Sequence, residues 1–527
     1  MFFPSFATGS QPFSETKQKE ECFMKKGFLM LLILPFVLLS FGMAVGAKDK
    51  DTVVIVQGVD PTTMDPHNHM ETPAWNLHIQ LFDCLLQRDP NIKMEKLLAE
   101  SYRIVNDKTW EFKIRKGVKF HNGEDCNAAS FKFSLERMAD PKNKLRQTVF
   151  QGIIENVEVM DDYTFRIHTK KPYPVMDAML CVYGQPIPVK YFQEKGPEHF
   201  ASNPIGTGPY KFVRWVKDDY ILLEANENYF RGAPKIKKVM FRPIPEATTR
   251  VAALQTQEAD IVTNIPPHLM KMMDWKGRSY VSKAPSVRVI YMAFDTTKPG
   301  PQADKRVRQA IALGVNMETN IKKILEGNGI RLGSPLTDKH FGYDPSVKPY
   351  DYNPEKAKQL LAEAGYPNGF DFVINSPTGR YLNDKEMAEA VAGDLRKIGI
   401  KANVKTFEWG HYMSNMMYGH NANPAYILGW GNTSFDADFT INPLMRTGLL
   451  LSNVSFPKLD ALIDEGISTM DPKKRLKIYS DAAKVIKDEV PWAWSYQQVD
   501  IYGVNERLNW KARTDERLVV FDMSFKE

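Results

Sequence analysis

Two imidazoles one residue apart, His67 and His69, with the carboxylate of Glu71 just beyond, form the one cluster in this chain with metal-ligand character. Donors of that kind, held in a loop before Pro73, could bind a transition metal. Surface imidazoles in a turn are the commoner meaning of so short a motif. No other catalytic constellation stands out: there is no G-x-x-x-x-G-K-S/T, no H-E-x-x-H, no G-x-S-x-G and no Gly-rich dinucleotide turn. Of the four cysteines, Cys22 lies in the leader described below, leaving Cys84, Cys126 and Cys181. An odd number allows at most one internal disulfide, and no C-x-x-C suggests zinc or redox chemistry. The enzyme reading therefore reduces to a secreted metal-dependent hydrolase built on His67, His69 and Glu71. A non-catalytic protein without a cofactor is the expectation.

Binding chemistry is better represented. Arg380 sits in Thr378-Gly-Arg-Tyr-Leu-Asn383, immediately after a segment that reads as a strand ending near Asn375. Crevices at the carboxyl ends of strands in α/β sheets are where ligands bind. A planar guanidinium there can make two charge-assisted bonds to a carboxylate, each worth ~1.5–3 kcal/mol. Trp409, Trp492, Trp494 and Tyr496 could stack on a ligand, although large aromatics are more often core.

The elements that must position these groups are legible from pattern and punctuation. Thr52 to Gly58 is a β-branched run, a buried strand closed by Asp60-Pro61. Pro73 to Gln87 reads as a helix, with Trp75, Ile79, Phe82 and Leu86 on one face. Trp110, Phe112 and Ile114 alternate with charged residues, and Val157 to Ile167 reads as a hairpin. Tyr210–Val216 and Tyr220–Ala225 make another antiparallel pair. The second half changes style. Asn353-Pro354 starts a helix that Gly365 stops. Phe370–Asn375, Asp384–Ile398 and Ile400–Phe407 follow in strand–helix–strand order, which predicts two parallel strands. Asp471-Pro472 starts a long helix ending near Val490. Val287 to Asp295 and Tyr496 to Val504 are the segments suited to cross between two lobes.

At 527 residues the chain is too long for one core. Hydrophobic content of 43% and charged content of 25% are ordinary for a globular protein. A net charge of +6 is mild for this length and gives no basic stripe, so no nucleic-acid partner is expected. Lys25-Lys26, the apolar run Phe28 to Phe41 and the small residues Val45-Gly46-Ala47 read in order as a cleaved secretory signal. The run is short for a bilayer span of ~20 residues, and Pro35 interrupts it, so no membrane span is expected after processing. No cysteine follows the run, which argues against a lipid anchor. Met24 directly precedes the lysines and is read as the true initiator. The expected divisions are a leader 1–23, a signal peptide 24–47, lobe I over 48–295 with an inserted subdomain about 93–202, lobe II over 296–496, and a return to lobe I over 497–527. A periplasmic monomer is the expected form.

Several segments then resemble one family over nearly the whole mature chain, from about Thr52 to Trp510. They are Leu98-Ala-Glu-Ser-Tyr-Arg with Trp110-Glu-Phe-Lys-Ile-Arg-Lys-Gly-Val-Lys-Phe-His-Asn-Gly-Glu124, then Asn203-Pro-Ile-Gly-Thr-Gly-Pro-Tyr210, Arg306-Val-Arg-Gln-Ala-Ile-Ala-Leu313, and Gly429-Trp430-Gly431 followed by Asp436 and Asp438. The chain resembles the family 5 solute-binding proteins, the dipeptide, oligopeptide, nickel and glutathione receptors of ABC-type importers. The resemblance implies an α/β fold of the type II periplasmic-binding class, with a first lobe split into two subdomains and a two-strand hinge. It also implies capture of a short peptide or peptide-like carboxylate between the lobes and docking onto the membrane subunits of a transporter. A nickel chelate or another non-peptide carboxylate is the alternative cargo.

In similar peptide receptors an arginine from the loop holding Arg380 clamps the ligand carboxylate, and the turn holding Thr62, Met64 and Asp65 faces the cleft. Trp430 would line the opposing wall, with Trp494 and Tyr496 as further aromatic candidates. Dipeptide receptors place an aspartate three residues after the matching tryptophan, where it takes the ligand ammonium. Here that residue is Thr433, which has a hydroxyl but no charge, and an ammonium there would be uncompensated. That departure counts against a plain dipeptide, and Asp436 is the residue that could substitute, although an aspartate at that spacing more often anchors the loop.

Overall fold

The computed structural model describes residues 50–526 of the chain; the leader and the signal segment read at the N-terminus lie outside the described residues. The main architecture is an 11-stranded sheet. Its order runs from Lys401–Phe407 through Asp371–Pro377, Ala425–Gly431, Ser279–Phe294, Trp492–Asn505, Ile261–Val262, Thr52–Gln57, Lys238–Pro243 and Tyr220–Ala225 to Tyr210–Val216, with Gly329–Leu332 added against Trp492–Asn505. Thr52–Gln57 is buried along its whole length because it is a central strand, paired in parallel on both sides with Lys238–Pro243 and Ile261–Val262. Such a strand needs a continuous apolar run rather than an alternating one.

Ser279–Phe294 and Trp492–Asn505 are the longest strands and pair antiparallel with each other. One end of this pair meets Ile261–Val262, and the other meets Ala425–Gly431. Of the two expected crossing segments, Val287 to Asp295 covers the second half of the first of these strands and Tyr496 to Val504 is most of the second. The strand–helix–strand unit is observed as Asp371–Pro377, Asp384–Lys397 and Lys401–Phe407, with the two strands parallel. Pro354–Glu363 and Pro472–Glu489 begin where the capping residues place them: the Asn353 and Asp471 side chains accept from the Lys356 and Lys474 amides.

A second, four-stranded antiparallel sheet is built from Ala99–Asn106, Thr109–Ile114, Thr164–Thr169 and Ile154–Asp161. Rings stack through its core, with Phe112–Phe165 at 5.6 Å and Phe131–Phe165 at 5.3 Å. Glu111 lies on the charged side of that alternation yet is buried, held between Arg103 and Arg166.

The helix read over Pro73 to Gln87 is shorter, Thr72–Leu81, and Leu86–Arg88 instead pairs with Met94–Lys96. The Gly206-Thr-Gly208 segment presses on the helix end, where Gly208 donates to the Leu81 carbonyl at 2.9 Å. A Cβ on Gly206 would stand 2.0 Å from that carbonyl oxygen, so only glycine permits the approach. The C-terminal segment packs on the same helix, with Gln80 and Asn76 bonded to the Leu518 backbone. Cys84, Cys126 and Cys181 are all buried and free. Among the described residues no helix is long and apolar enough to cross a membrane.

Candidate ligand-binding cleft

Arg380 occupies the loop between Asp371–Pro377 and Asp384–Lys397. The loop is shaped by one carboxylate. Asp384 accepts from the amides of Gly379, Arg380 and Tyr381 at 2.9–3.1 Å, and Asn383 takes a left-handed conformation to bring it there. Backbone donors thus engage the aspartate, and the neighbouring arginine is left without a carboxylate. The Arg380 guanidinium lies 5.1 Å from the Tyr381 ring and 5.0 Å from the Trp409 ring, and no ion pair or side-chain hydrogen bond holds it among the described residues. Burial pulls its pKa down, Arg288 adds to this, and Tyr381, Glu516 and Glu71 oppose it. It remains a full charge at any physiological pH.

Behind it the long strands carry an ion pair. Arg288 bonds the Glu516 carboxylate at 2.5 Å and the Thr72 hydroxyl at 2.7 Å, tying a crossing strand to the C-terminal segment and to the start of helix Thr72–Leu81. Ser286 donates to the second Glu516 oxygen at 3.1 Å. Burial works against the arginine's charge, and Glu516 more than compensates. Asp500, on the partner strand, is raised by burial and then by Glu516. The sequence offered no signal for this group, because Arg288 and Glu516 stand 228 residues apart.

A second candidate surface is the turn after Thr52–Gln57. Thr62 is exposed and donates to Glu71 through both its amide and its hydroxyl, while the Glu71 carboxylate also accepts from the Met70 amide at 3.1 Å. Met64 is wholly buried in the apolar core. Asp65 is also buried, with both oxygens on Arg137 at 3.1 and 2.5 Å. These two residues build the turn from inside; Thr62 is the one of the three expected there that faces outward.

The histidines are not on the surface. His67, His69 and His78 are all buried. His67 meets Arg137 and the Gln185 carbonyl, and His69 meets His78 at 2.7 Å. Burial pushes His67 down to about 4, with Arg137 adding to the effect, and pushes His69 down to about 3. They are neutral packing groups with protein partners, and among the described residues no cluster of three or more His, Cys, Asp or Glu could hold a metal.

Trp430 closes Ala425–Gly431, half-buried, and donates its indole N–H to the Phe439 carbonyl at 2.7 Å. The loop after it is organised by Asn432, which bonds the Asp436 carbonyl and the Thr440 hydroxyl. Thr433 is half-buried at its crest. Asp436 is below it, with both oxygens on Arg475 at 2.6 Å. It anchors the loop and has no oxygen free for an ammonium. Asp438 is buried beside it and is raised to about 7 by burial and by the Asp436 charge.

Trp494 and Tyr496 are likewise taken up by the interior, 6% and 1% exposed, their rings stacked at 6.1 Å. Both point into the core because the strand carrying them is buried along its length. Trp494 borders a partly open space of about 30 Å³ with Arg331, Tyr350 and Lys487, of which Arg380 is no part. Arg380, Tyr381 and Trp409 form one group of contacts and Thr62 with Glu71 another, whereas Met64, Asp65, Asp436, Trp494 and Tyr496 are taken up by the interior. Trp409 and Glu71 are the members the clamp argument did not reach. Trp409 was legible as an aromatic, and Glu71 as an acid in a short turn.

Residues 93–448 match the family model described as bacterial extracellular solute-binding proteins, family 5 Middle. Heme-binding protein A of Haemophilus influenzae is 31% identical over 481 residues, covering 85% of this chain and 87% of that protein. The glutathione-binding protein GsiB of Escherichia coli is 28% identical over 479 residues, covering 89% and 92%. The periplasmic binding protein DppA from Helicobacter pylori, solved with the peptide STSA, superposes with a TM-score of 0.83 at 26% identity, covering 90% of this chain and 98% of that one.

Proposed function

This chain belongs to the family 5 bacterial extracellular solute-binding proteins, and from that membership we propose that it is the periplasmic receptor of an ABC-type importer, carrying a short peptide or peptide-like carboxylate. One observation supports this cargo above the rest. Arg380 is a half-buried guanidinium between two aromatic rings, on a loop whose only aspartate is engaged by backbone amides. An arginine with no carboxylate of its own, placed at the end of a parallel strand, is suited to receive one.

In this reading lobe I comprises 48–295, with its inserted subdomain about 93–202, together with 497–527, and lobe II comprises 296–496. The lobes close about the two long strands, and closure brings the Thr62–Glu71 turn onto the Arg380 loop. The protein is exported by a cleaved signal, works as a monomer, catalyses nothing, and docks on transporter membrane subunits once closed.

The test is native mass spectrometry of protein purified from the periplasm, followed by denaturation to release the cargo. A peptide or peptide-like acid is expected. Arg380→Ala should then weaken its binding at least tenfold, about 1.4 kcal/mol, in calorimetry. Unchanged affinity would remove the clamp, and a released metal chelate would move the cargo to the nickel class.

A further inference from the structure

The small space beside Trp494 is walled by donors and by no acid. It lies where the last turn of Pro472–Glu489 meets the strands Gly329–Leu332 and Trp492–Asn505. No Asp, Glu or His is among the residues that line it. Two of those residues carry buried polar atoms that bond nothing among the described residues: the Lys487 ammonium and the Trp494 indole N–H. The ammonium rests on the Tyr350 ring, 2.9 Å from its centroid, which meets only one side of the charge. Arg331 adds a second cation. It donates to the Tyr350 carbonyl at 2.5 Å, and its other terminal nitrogen lies 3.8 Å from the exposed Glu318 carboxylate.

Burial pulls Lys487 down to about 8, with the Asp351 charge opposing and the Arg331 charge adding, so the side chain is still a cation at neutral pH. A helix C-terminus ordinarily repels an anion. Here its carbonyls are occupied: Ile486 accepts from the Val490 amide at 3.0 Å, Lys487 from the Tyr350 hydroxyl, and Glu489 from Arg308. Size then narrows the occupant. The space of about 30 Å³ exceeds the ~10–15 Å³ that one water needs and falls far below the ~300 Å³ of an organic-ligand pocket. A water accepting from both groups would also have to place two protons of its own. A monatomic anion only accepts.

We propose that this space is a binding site for one small monovalent anion of the halide class, held between the Lys487 ammonium and the Trp494 indole N–H, with Arg331 adding its charge. The site is separate from the cargo and does not depend on what the cargo is. The ion would tie the end of Pro472–Glu489 to the long strand Trp492–Asn505, so chloride would stiffen one of the two segments expected to cross between the lobes.

The test uses the full mature protein, crystallised with bromide in place of chloride and melted in solution against increasing chloride. An anomalous bromide peak between Lys487 and Trp494 is expected, together with a saturable rise in melting temperature. Sulfate at equal ionic strength should give no such rise. Lys487→Met keeps the stem and should weaken the chloride midpoint at least tenfold; Trp494→Phe keeps the ring and should weaken it about threefold. A wild-type crystal with a water and no anomalous signal at the site would overturn the inference. So would an equal response to sulfate, or a chloride midpoint unmoved in Lys487→Met. A peak that appears only at molar bromide would mean an adventitious ion only, and the inference falls. If neither variant folds, the wild-type bromide crystal still decides.

Discussion

Two aspartates in this protein, each beside an arginine, are satisfied in opposite ways. In the loop after Asp371–Pro377, Asp384 gathers three backbone amides and Arg380 is left without an anion. In the loop after Ala425–Gly431, Asp436 gives both oxygens to Arg475, and neither residue has anything left for a ligand. Arginine and aspartate identity alone does not separate a binding site from a structural anchor. What separates them is where the carboxylate finds its donors. A carboxylate satisfied by backbone leaves a cation available, whereas one satisfied by the cation consumes it.

Breaking each loop in turn should give different losses. Asp436→Ala strands the 4% exposed Arg475 side chain without its counter-charge, and removing one partner of a buried pair costs about 3–5 kcal/mol. That should appear as a large fall in the denaturation midpoint, with ligand affinity in the surviving folded fraction changed far less. Asp384→Ala leaves amides in a loop that water can partly reach, so about 1–3 kcal/mol of stability is expected to go. Its affinity loss should match or exceed that of Arg380→Ala, since the guanidinium loses its placement. Equal affinity losses in the two aspartate variants would dissolve the distinction between the loops.

Asp438 sharpens the contrast through pH. Its native pKa is raised to about 7 from an ordinary 3.8, by burial first and the Asp436 charge second. Between those values the folded protein holds a proton that the unfolded chain has released. Stability attributable to Asp438 is therefore greatest at the acid end of that window, falls as pH rises through it, and stays low above about 7. Asp438→Asn keeps the shape without the charge. Melting curves from pH 5 to 8 should be flatter for the variant, which should be the more stable of the two at pH 8 by about 1–3 kcal/mol. An unchanged slope would mean that Asp438 titrates normally.

The contrast also marks what could be read in advance. Pro354–Glu363 and Pro472–Glu489 were legible because their caps are local: an asparagine or aspartate, a proline and a donor three residues on. Tyr210–Val216, Tyr220–Ala225 and the parallel unit around Asp384 follow from period and punctuation in the same way. The family segments identified the family, and strand-end logic pointed to Arg380, whose guanidinium has no carboxylate among the described residues. The misreadings came where a partner is remote. His67 reads as a surface imidazole until Arg137, 70 residues on, is placed beside it. Asp436 reads as a possible ligand group until Arg475 arrives from 39 residues away. Trp494 and Tyr496 could be known only as aromatics, and burial from both sides of the sheet decides that they are core.

Thr433 offers the smallest and most specific way to shift the balance between the loops. It sits at the crest of a loop whose own aspartate is committed to Arg475, so the Trp430 side presents a hydroxyl and no charge to the space. Thr433→Asp would add an anion where dipeptide receptors carry one, at a half-buried position that can keep the new charge partly solvated. A single charge-assisted bond to an ammonium is worth about 1.5–3 kcal/mol before the cost of burying both groups. A net gain of up to about tenfold for tri-alanine, a plain peptide, is therefore expected in calorimetry. A loss would mean that the new charge is desolvated there without meeting the ammonium. If the affinity does not change, the crest of that loop lies outside the contact surface.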